Sequence, residues 1–274
     1  MNAVIAVATN FNPISIDRFI TSFRQYNLLD KAVVIINKTD VEKHKEFCRN
    51  HKHDVEWFVV DDSYLFNKYY IISERFKMFT AILKQSNYEN IFLADVRDLI
   101  FQGNIFAKLN KLTFFKEAAA IEDDQYNKFT INHINPVAYQ AIKSQPIINA
   151  GTIYGPKNKI IEVCEFLTDA ISKTPIVLNE VNNPFNFDQP HLNVMVHYLK
   201  FLGGDFDLSG NEDGIVNTIG LSFAYKAINE NGFFITKNGL QSCVVHQFDR
   251  CDRDTIEKLR YRGLPVDDLL KSNN

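Results

Sequence analysis

The chain reads as an α/β domain with a mostly parallel central sheet flanked by helices. Three observations predict this. Through residues 1–120, short apolar, β-branched runs alternate with stretches whose apolar residues recur every three or four positions. That alternation demands crossover connections, hence parallel strands covered by helices on both faces. The 274 residues, 46% apolar and 23% charged, suit one large α/β domain or two small ones. And the run Ile91 to Ala94 passes directly into Asp95-Val96-Arg97-Asp98. Ligands of such sheets bind outside the carboxyl ends of the strands.

The elements follow in order. Val4 to Ala8 is the first strand. Apolar residues at 16, 19, 20 and 23 predict an amphipathic helix over Ile16–Phe23. Ala32 to Ile36 is a second strand, Val41 to Asn50 a polar helix and Glu56 to Val60 a third strand. Ser73 to Gln85 is helical, with Phe76, Phe79, Ala81, Ile82 and Leu83 as its apolar side. Ile91 to Ala94 is the fourth strand. The second half is less regular. Phe114–Ile121 and Pro146–Tyr154 read as strands, the latter interrupted at Asn149-Ala150-Gly151. Lys157–Ser172 is a helix opened by Gly155-Pro156. Asp188–Phe201 is another helix. Phe233–Thr236 and Val244–His246 are short strands, and a short helix begins at Arg253. No repeat, low-complexity tract or linker divides the chain, so residues 1–274 are expected to form a single domain. Residues 1–120 are expected to be a nucleotide-binding half and 121–274 a more variable one, with the stretches 122–145 and 203–242 read as loops.

Composition excludes several classes. The formal net charge of −3 gives no electrostatic capture of nucleic acid. No run of about 18 apolar residues crosses a membrane. Cys48, Cys164, Cys243 and Cys251 are scattered without a C-x-x-C pair, which argues against zinc. The first ten residues lack a basic segment before an apolar one, so a cytoplasmic, reducing setting is expected. Attachment to a membrane surface through a partner stays open.

The acidic strand end admits two readings. Asp95 and Asp98 could hold Mg²⁺ or Mn²⁺ against nucleotide phosphates. The plainer reading is an exposed loop with Arg97 paired to its neighbours. The familiar nucleotide motifs are missing. The first strand is followed by Thr9-Asn10-Phe11-Asn12-Pro13, not a glycine-rich turn, which disfavours a Rossmann dehydrogenase. No Walker A sequence and no Gly-x-Ser-x-Gly is present. What remains is a domain that holds a nucleotide through a metal and polar side chains.

Several separated segments together resemble the nucleotide-sugar glycosyltransferases of the type A, Rossmann-like fold, in particular the glycogenin/galactosyltransferase-like group. They are Ala8-Thr9-Asn10, Arg75-Phe76-Lys77, Asp95-Val96-Arg97-Asp98, Ile148-Asn149-Ala150-Gly151-Thr152, Phe187-Asp188-Gln189 through Asn193, and Val245-His246-Gln247-Phe248-Asp249-Arg250. They span about residues 4 to 250 in the family's order. One departure stands out. The family's acidic motif spaces its carboxylates two apart, whereas Asp95 and Asp98 are three apart with Arg97 between them.

The resemblance implies a sugar transfer from a nucleoside-diphosphate sugar, a UDP-sugar in particular, with retention at the anomeric carbon. The acceptor would be a glycan, a lipid-linked glycan or a protein, met by 121–274 as a sugar and acceptor half, with 122–145 and 203–242 carrying its contacts. Asp95, Asp98 and His246 would hold a divalent ion. An imidazole ligand favours Mn²⁺ over Mg²⁺; the plainer reading of His246 is a satisfied residue at a strand end. Ala8, Thr9 and Asn10 would border the nucleotide, and Arg75, with Lys77, the diphosphate, unless both merely face solvent. Asp188 would sit nearest the anomeric carbon, stabilising positive charge or acting as general base, or would only cap its helix. Asn149 and Gln189 would bind sugar hydroxyls, or serve a turn and a cap. Gly151 would admit close backbone approach or mark a bulge. Arg97, on the sugar side, would share the charge neutralisation. Two rivals stand beside this expectation. A sugar-nucleotide nucleotidyltransferase is disfavoured because Thr9–Pro13 has neither glycine nor basic residue. A degenerate protein that binds sugars or a partner without transfer is supported by Arg97 inside the acidic motif.

Overall fold

The computed structural model describes residues 1–9, 11–50, 54–62, 68–175, 187–221, 224–260 and 263–271. The first half alternates as the periodicity predicts. Its elements are β1 (Ala3–Val7), α1 (Pro13–Arg24), β2 (Lys31–Asn37), α2 (Val41–Asn50), β3 (Glu56–Val60), α3 (Lys68–Gln85) and β4 (Asn90–Asp95). Then come β5 (Leu99–Phe101), β6 (Thr113–Ala120), α4 (Gln125–Ile134), α5 (Pro136–Ile142), β7 (Pro146–Pro156) and α6 (Lys157–Ser172). The chain continues through α7 (Asp188–Asn193), β8 (Asp207–Ser209), β9 (Val216–Thr218), β10 (Val244–His246), α8 (Arg253–Arg260) and α9 (Asp267–Lys271).

Seven strands form one sheet in the order β3-β2-β1-β4-β7-β6-β8. The pairings of β1 with β2 and β4, of β2 with β3 and of β6 with β8 are parallel. Only β7 runs against its neighbours β4 and β6. Strands from both halves of the chain therefore share one mostly parallel sheet. A second sheet, β5-β10-β9, stands beside it.

Strand alternation sorts the core into two layers. Ile5, Ile35 and Leu93 face Phe76, Phe79 and Leu83 of α3 and Val163 and Leu167 of α6. Val4, Val34 and Phe92 face Ile16, Phe19 and Phe23 of α1, with Phe101 of β5. Phe101 is the hub of that layer, with edge-on contacts to Phe19, Phe23 and Phe92. The C-terminal helices cover the small sheet: Ile256, Leu259, Leu264, Val266 and Leu270 pack with Ile100, Val245 and Phe248.

Three sequence expectations are corrected. Residues 122–145 are not loop but carry α4 and α5. Asp124 caps the first by accepting from the Asn127 amide, and Asn135 caps the second ahead of Pro136. The helix begun at Asp188 is regular only to Asn193. It then widens into a π-helical turn over Val194–Tyr198, where Leu199 N–H reaches Val194 O. Phe233–Thr236 forms isolated bridges (Ile228 with Phe234, Ile235 with Gln241) rather than a strand, while β8 and β9 lie within 203–242.

Candidate metal centre and active site

Strand order places the site. From β1 the chain winds outward through β2 and β3, then returns to lay β4 on the other flank of β1. The crevice at the carboxyl ends of β1 and β4 is therefore the topological switch point, where open α/β sheets bind ligands. Val7 and Asp95 are partners there.

Asp95 closes β4, and the turn Val96-Arg97-Asp98 leads straight into β5. Because β10 pairs antiparallel with β5, His246 lies opposite Leu99. The Asp98 carbonyl accepts the Gln247 amide at 2.6 Å. These two constraints bring Asp95, Asp98 and His246 together, each offering one ligand atom, all within 4.8 Å of one another. His246 Nε2 is 3.5 Å from Asp95 Oδ2 and 3.7 Å from Asp98 Oδ1. The imidazole is buried, yet neither ring nitrogen has a hydrogen-bond partner. Ligand atoms about 2.1 Å from one small divalent ion stand roughly 3–4 Å apart, so the two histidine distances are those at which the group could hold an ion. In the plain alternative, a histidine at a strand end, the ion-pair contacts to Asp95 and Asp98 would be all that partners Nε2, and Nδ1 has no partner among the described residues.

β7 forms the floor. Gly151 follows in the antiparallel register with β4. A Cβ at Gly151 would lie 2.3 Å from Asp95 Oδ2 and 2.9 Å from His246 Cε1. Glycine is needed here for space, which leaves the side chains of Asp95 and His246 their room.

Arg75 of α3 divides the acids. Its Nη1 donates to Asp95 Oδ1 at 2.7 Å, and its Nη2 to Asp188 Oδ2 at 2.6 Å and to Ala150 O at 3.0 Å. The two oxygens of Asp95 thus have separate duties: Oδ1 meets Arg75, and Oδ2 faces His246. Arg75 is buried, so the expectation that it approaches a diphosphate directly is modified. Its fork is engaged by two carboxylates and a carbonyl.

Charge state follows from these contacts. Burial pushes the Asp95 carboxyl upward, but Arg75 and then His246 outweigh it and hold it down to about 2. Burial raises Asp98, with Asp95 and Asp249 adding to the effect against His246. Burial likewise raises Asp188, opposed by Arg75. Burial works against a charged His246, but Asp98 and Asp95 turn the balance and raise its pKa. Asp95, Asp98 and Asp188 gather around Arg75 and His246, with Arg97 at the rim 3.9 Å from Asp98, an acidic setting that would favour a divalent cation.

The remaining expected residues fall into place as follows. Asp188 opens α7, but its position is the first helical one. Phe187 is the cap, and no side-chain cap bond forms. The Asp188 carboxylate is tied to Arg75 instead. Asn149 is buried, with its amide donating to Glu117 at 2.8 Å and its oxygen accepting from the Gly151 amide at 2.8 Å. Gln189 accepts from the Ala150 amide at 3.2 Å. Both support the β7 floor. Ala8 and Thr9 are buried just past β1, and Asn10 lies outside the described residues. Arg97 is 54% exposed at the rim, 3.4 Å from Asp249 and 3.9 Å from Asp98. Lys77 is exposed and faces Glu74 at 3.9 Å. Asp62 accepts from Thr39, and Asp124 caps α4, so neither adds a metal site. Cys164, Cys243 and Cys251 are free and buried. No described helix is long and apolar enough to cross a membrane.

Two residues beside the site were not anticipated. Glu117 of β6 is buried against Asn149, and burial raises its carboxyl. The signal was available: Lys116-Glu117 interrupts an otherwise apolar strand. Tyr126 of α4 has its phenol pushed well up by burial and by nearby Asp188.

No protein-family model matches the chain, and no curated protein sequence is significantly similar to it.

Proposed function

We propose that the chain is a glycosyltransferase that moves a sugar from a nucleoside-diphosphate sugar, with UDP the expected carrier. The observation that carries this reading is the Asp95–Asp98–His246 set, with its orphaned imidazole, at the switch point of the sheet. The three residues would hold Mn²⁺, or Mg²⁺. Such an ion would supply Lewis-acid stabilisation of the departing diphosphate. Arg75 keeps Asp95 ionised and turned toward His246. Asp188 is presented by the start of α7 with its negative charge backed by Arg75. There it would stabilise an oxocarbenium-like sugar, or take the proton of an acceptor hydroxyl if the reaction inverts. The acceptor, whether glycan, lipid-linked glycan or protein, would enter beside α4 and α7.

The test is thermal unfolding across a panel of nucleoside-diphosphate sugars with and without Mn²⁺, followed by product analysis. A ligand that binds only the folded chain raises the melting temperature by mass action. A Mn²⁺-dependent rise for one nucleotide family, lost in Asp98→Asn, supports the proposal. Full turnover by Asp98→Asn would sink the metal assignment. A second reading, sugar or partner binding without transfer, is favoured by one contact. Arg75 already neutralises both Asp95 and Asp188. Donor binding with neither hydrolysis nor transfer would select it.

A further inference from the structure

Arg18 of α1 is a fully buried side chain, an unusual fate for an arginine on a surface helix. Its guanidinium joins three parts of the chain. Nη1 donates to Pro265 O at 3.0 Å and to Asp268 Oδ1 at 2.8 Å, both from the C-terminal segment. Nη2 donates to Arg97 O at 3.1 Å and lies 3.4 Å from Ser15 Oγ. The cation stands 5.3 Å from the ring centre of Phe248, two residues beyond His246. Ser15 completes the arrangement by donating to the second oxygen of Asp268 at 3.3 Å.

The Arg97 carbonyl belongs to the turn that carries Asp95 and Asp98. The next carbonyl, that of Asp98, accepts the Gln247 amide. Two successive carbonyls of the acidic turn are thus pinned, one by Arg18 and one by the strand of His246. The Asp98 carboxylate has His246 at 3.7 Å and Arg97 at 3.9 Å as its nearest charged neighbours. Its position follows from the backbone that bears it.

We propose that Arg18 is a positioning residue that suspends the acidic turn from the docked C-terminal segment, so that divalent-ion binding depends on residues 264–270 being in place. The proposal rests on the metal-site reading above for its consequence, but not for its mechanics. Only a planar fork can reach Asp268, Pro265 and Arg97 at once; a lysine ammonium cannot. Leu264, Val266 and Leu270 hold the segment on the small sheet, and Arg18 transmits that docking to the turn.

The test compares Arg18→Lys with Ile142→Ala, a cavity in the separate cluster under α5 that contains neither the C-terminal segment nor the acidic turn. Amide hydrogen exchange at Gln247 and Phe248, whose N–H groups point at Asp98 O, is the metal-free readout. Arg18→Lys should speed exchange there at least tenfold and weaken binding of Mn²⁺ alone by about tenfold, the size of effect outer contacts have on metal ligands. Ile142→Ala should lower the melting temperature as well, without either change. Wild-type exchange at Gln247 and Phe248 in Arg18→Lys overturns the proposal. If that variant does not fold, Asp268→Asn, which keeps an oxygen acceptor but not the charge, is read the same way. Faster exchange with unchanged Mn²⁺ affinity overturns the coupling to the ion. A wild-type chain that binds no Mn²⁺ but shows the exchange pattern removes the metal reading and leaves the suspension standing.

Discussion

Replacing Gly151 with alanine separates a metal centre from a chance meeting of acids. The added Cβ would lie 2.3 Å from Asp95 Oδ2, 2.9 Å from Asp95 Cγ and 2.9 Å from His246 Cε1. Ordinary contact for such atoms is near 3.3 Å, so the carboxylate must retreat by roughly 1 Å. It cannot turn away freely, because Oδ1 is bonded to Arg75 at 2.7 Å. Overpacking of this kind costs about 1–3 kcal/mol. Gly151 lies within an extended strand, so alanine returns about 0.4–1 kcal/mol by narrowing the unfolded ensemble. The net loss is at most about 2.6 kcal/mol, or a fall of up to roughly 10 °C in melting temperature for a domain of this size. The ion should feel it more, since displaced ligands lose about 10–100-fold in affinity. The assay is thermal unfolding plus calorimetric titration of Mn²⁺. Gly155→Ala serves as reference: its Cβ meets Leu112 at 2.9 Å on the same strand, away from the acids. That variant should lose comparable stability and keep Mn²⁺ binding. Wild-type Mn²⁺ affinity in Gly151→Ala would refute the claim that the ion sits between Asp95 and His246.

Three further outcomes are expected. Arg75→Met removes the cation between two buried carboxylates and should destabilise the fold by about 3–5 kcal/mol, as broken buried pairs do, measured by urea unfolding at pH 7. If it unfolds no more easily than wild type, the clamp is ornamental. The His191 imidazole, lowered by burial from 6.5 to about 4, binds its proton more readily in the unfolded chain. Its contribution is therefore present above pH 6.5 and lost progressively as pH falls toward 4, at most about 3.5 kcal/mol at 1.4 kcal/mol per unit. His191→Gln should flatten stability over that window, and an unchanged pH profile would count against it. Phe101→Ala, at the hub of three edge-on ring contacts, should lose about 3–5 kcal/mol in the same unfolding assay.

The first half of the fold was legible because each strand there is a bare apolar run and each helix shows its 3.6-residue stripe. Short elements escaped for the opposite reason. β5 and β9 have three residues each, too few to display a period. α4 and α5 have few buried positions, and their caps, Asp124 and Asn135-Pro136, were the readable cue. At the site, acids at a strand end made Asp95 and Asp98 visible as ligand candidates, and His246 joined them only through the family resemblance. Partnership did not show: an arginine on a helix reads as solvent-facing, so the burial of Arg75 and Arg18 was hidden. Glu117 stood out as a charge in an apolar strand, but nothing in that local pattern shows that Asn149 will come to lie beside it.

The Arg75 clamp has a consequence for the order in which the site is made. Asp95 and Asp98 leave the ribosome roughly 150 residues before His246, on the order of 10 s at ordinary synthesis rates. Through that interval the imidazole that completes the set does not exist, and neither does the C-terminal segment that pins the turn. Arg75 precedes Asp95 in the chain, so the carboxylate is born with its counter-charge already made. The nascent sheet can close over β4 with that acid neutralised, and the ligand set becomes complete only when the last strand arrives. A chain cut short before β10 would carry Asp95, Asp98 and Arg75 and lack the imidazole of the candidate set.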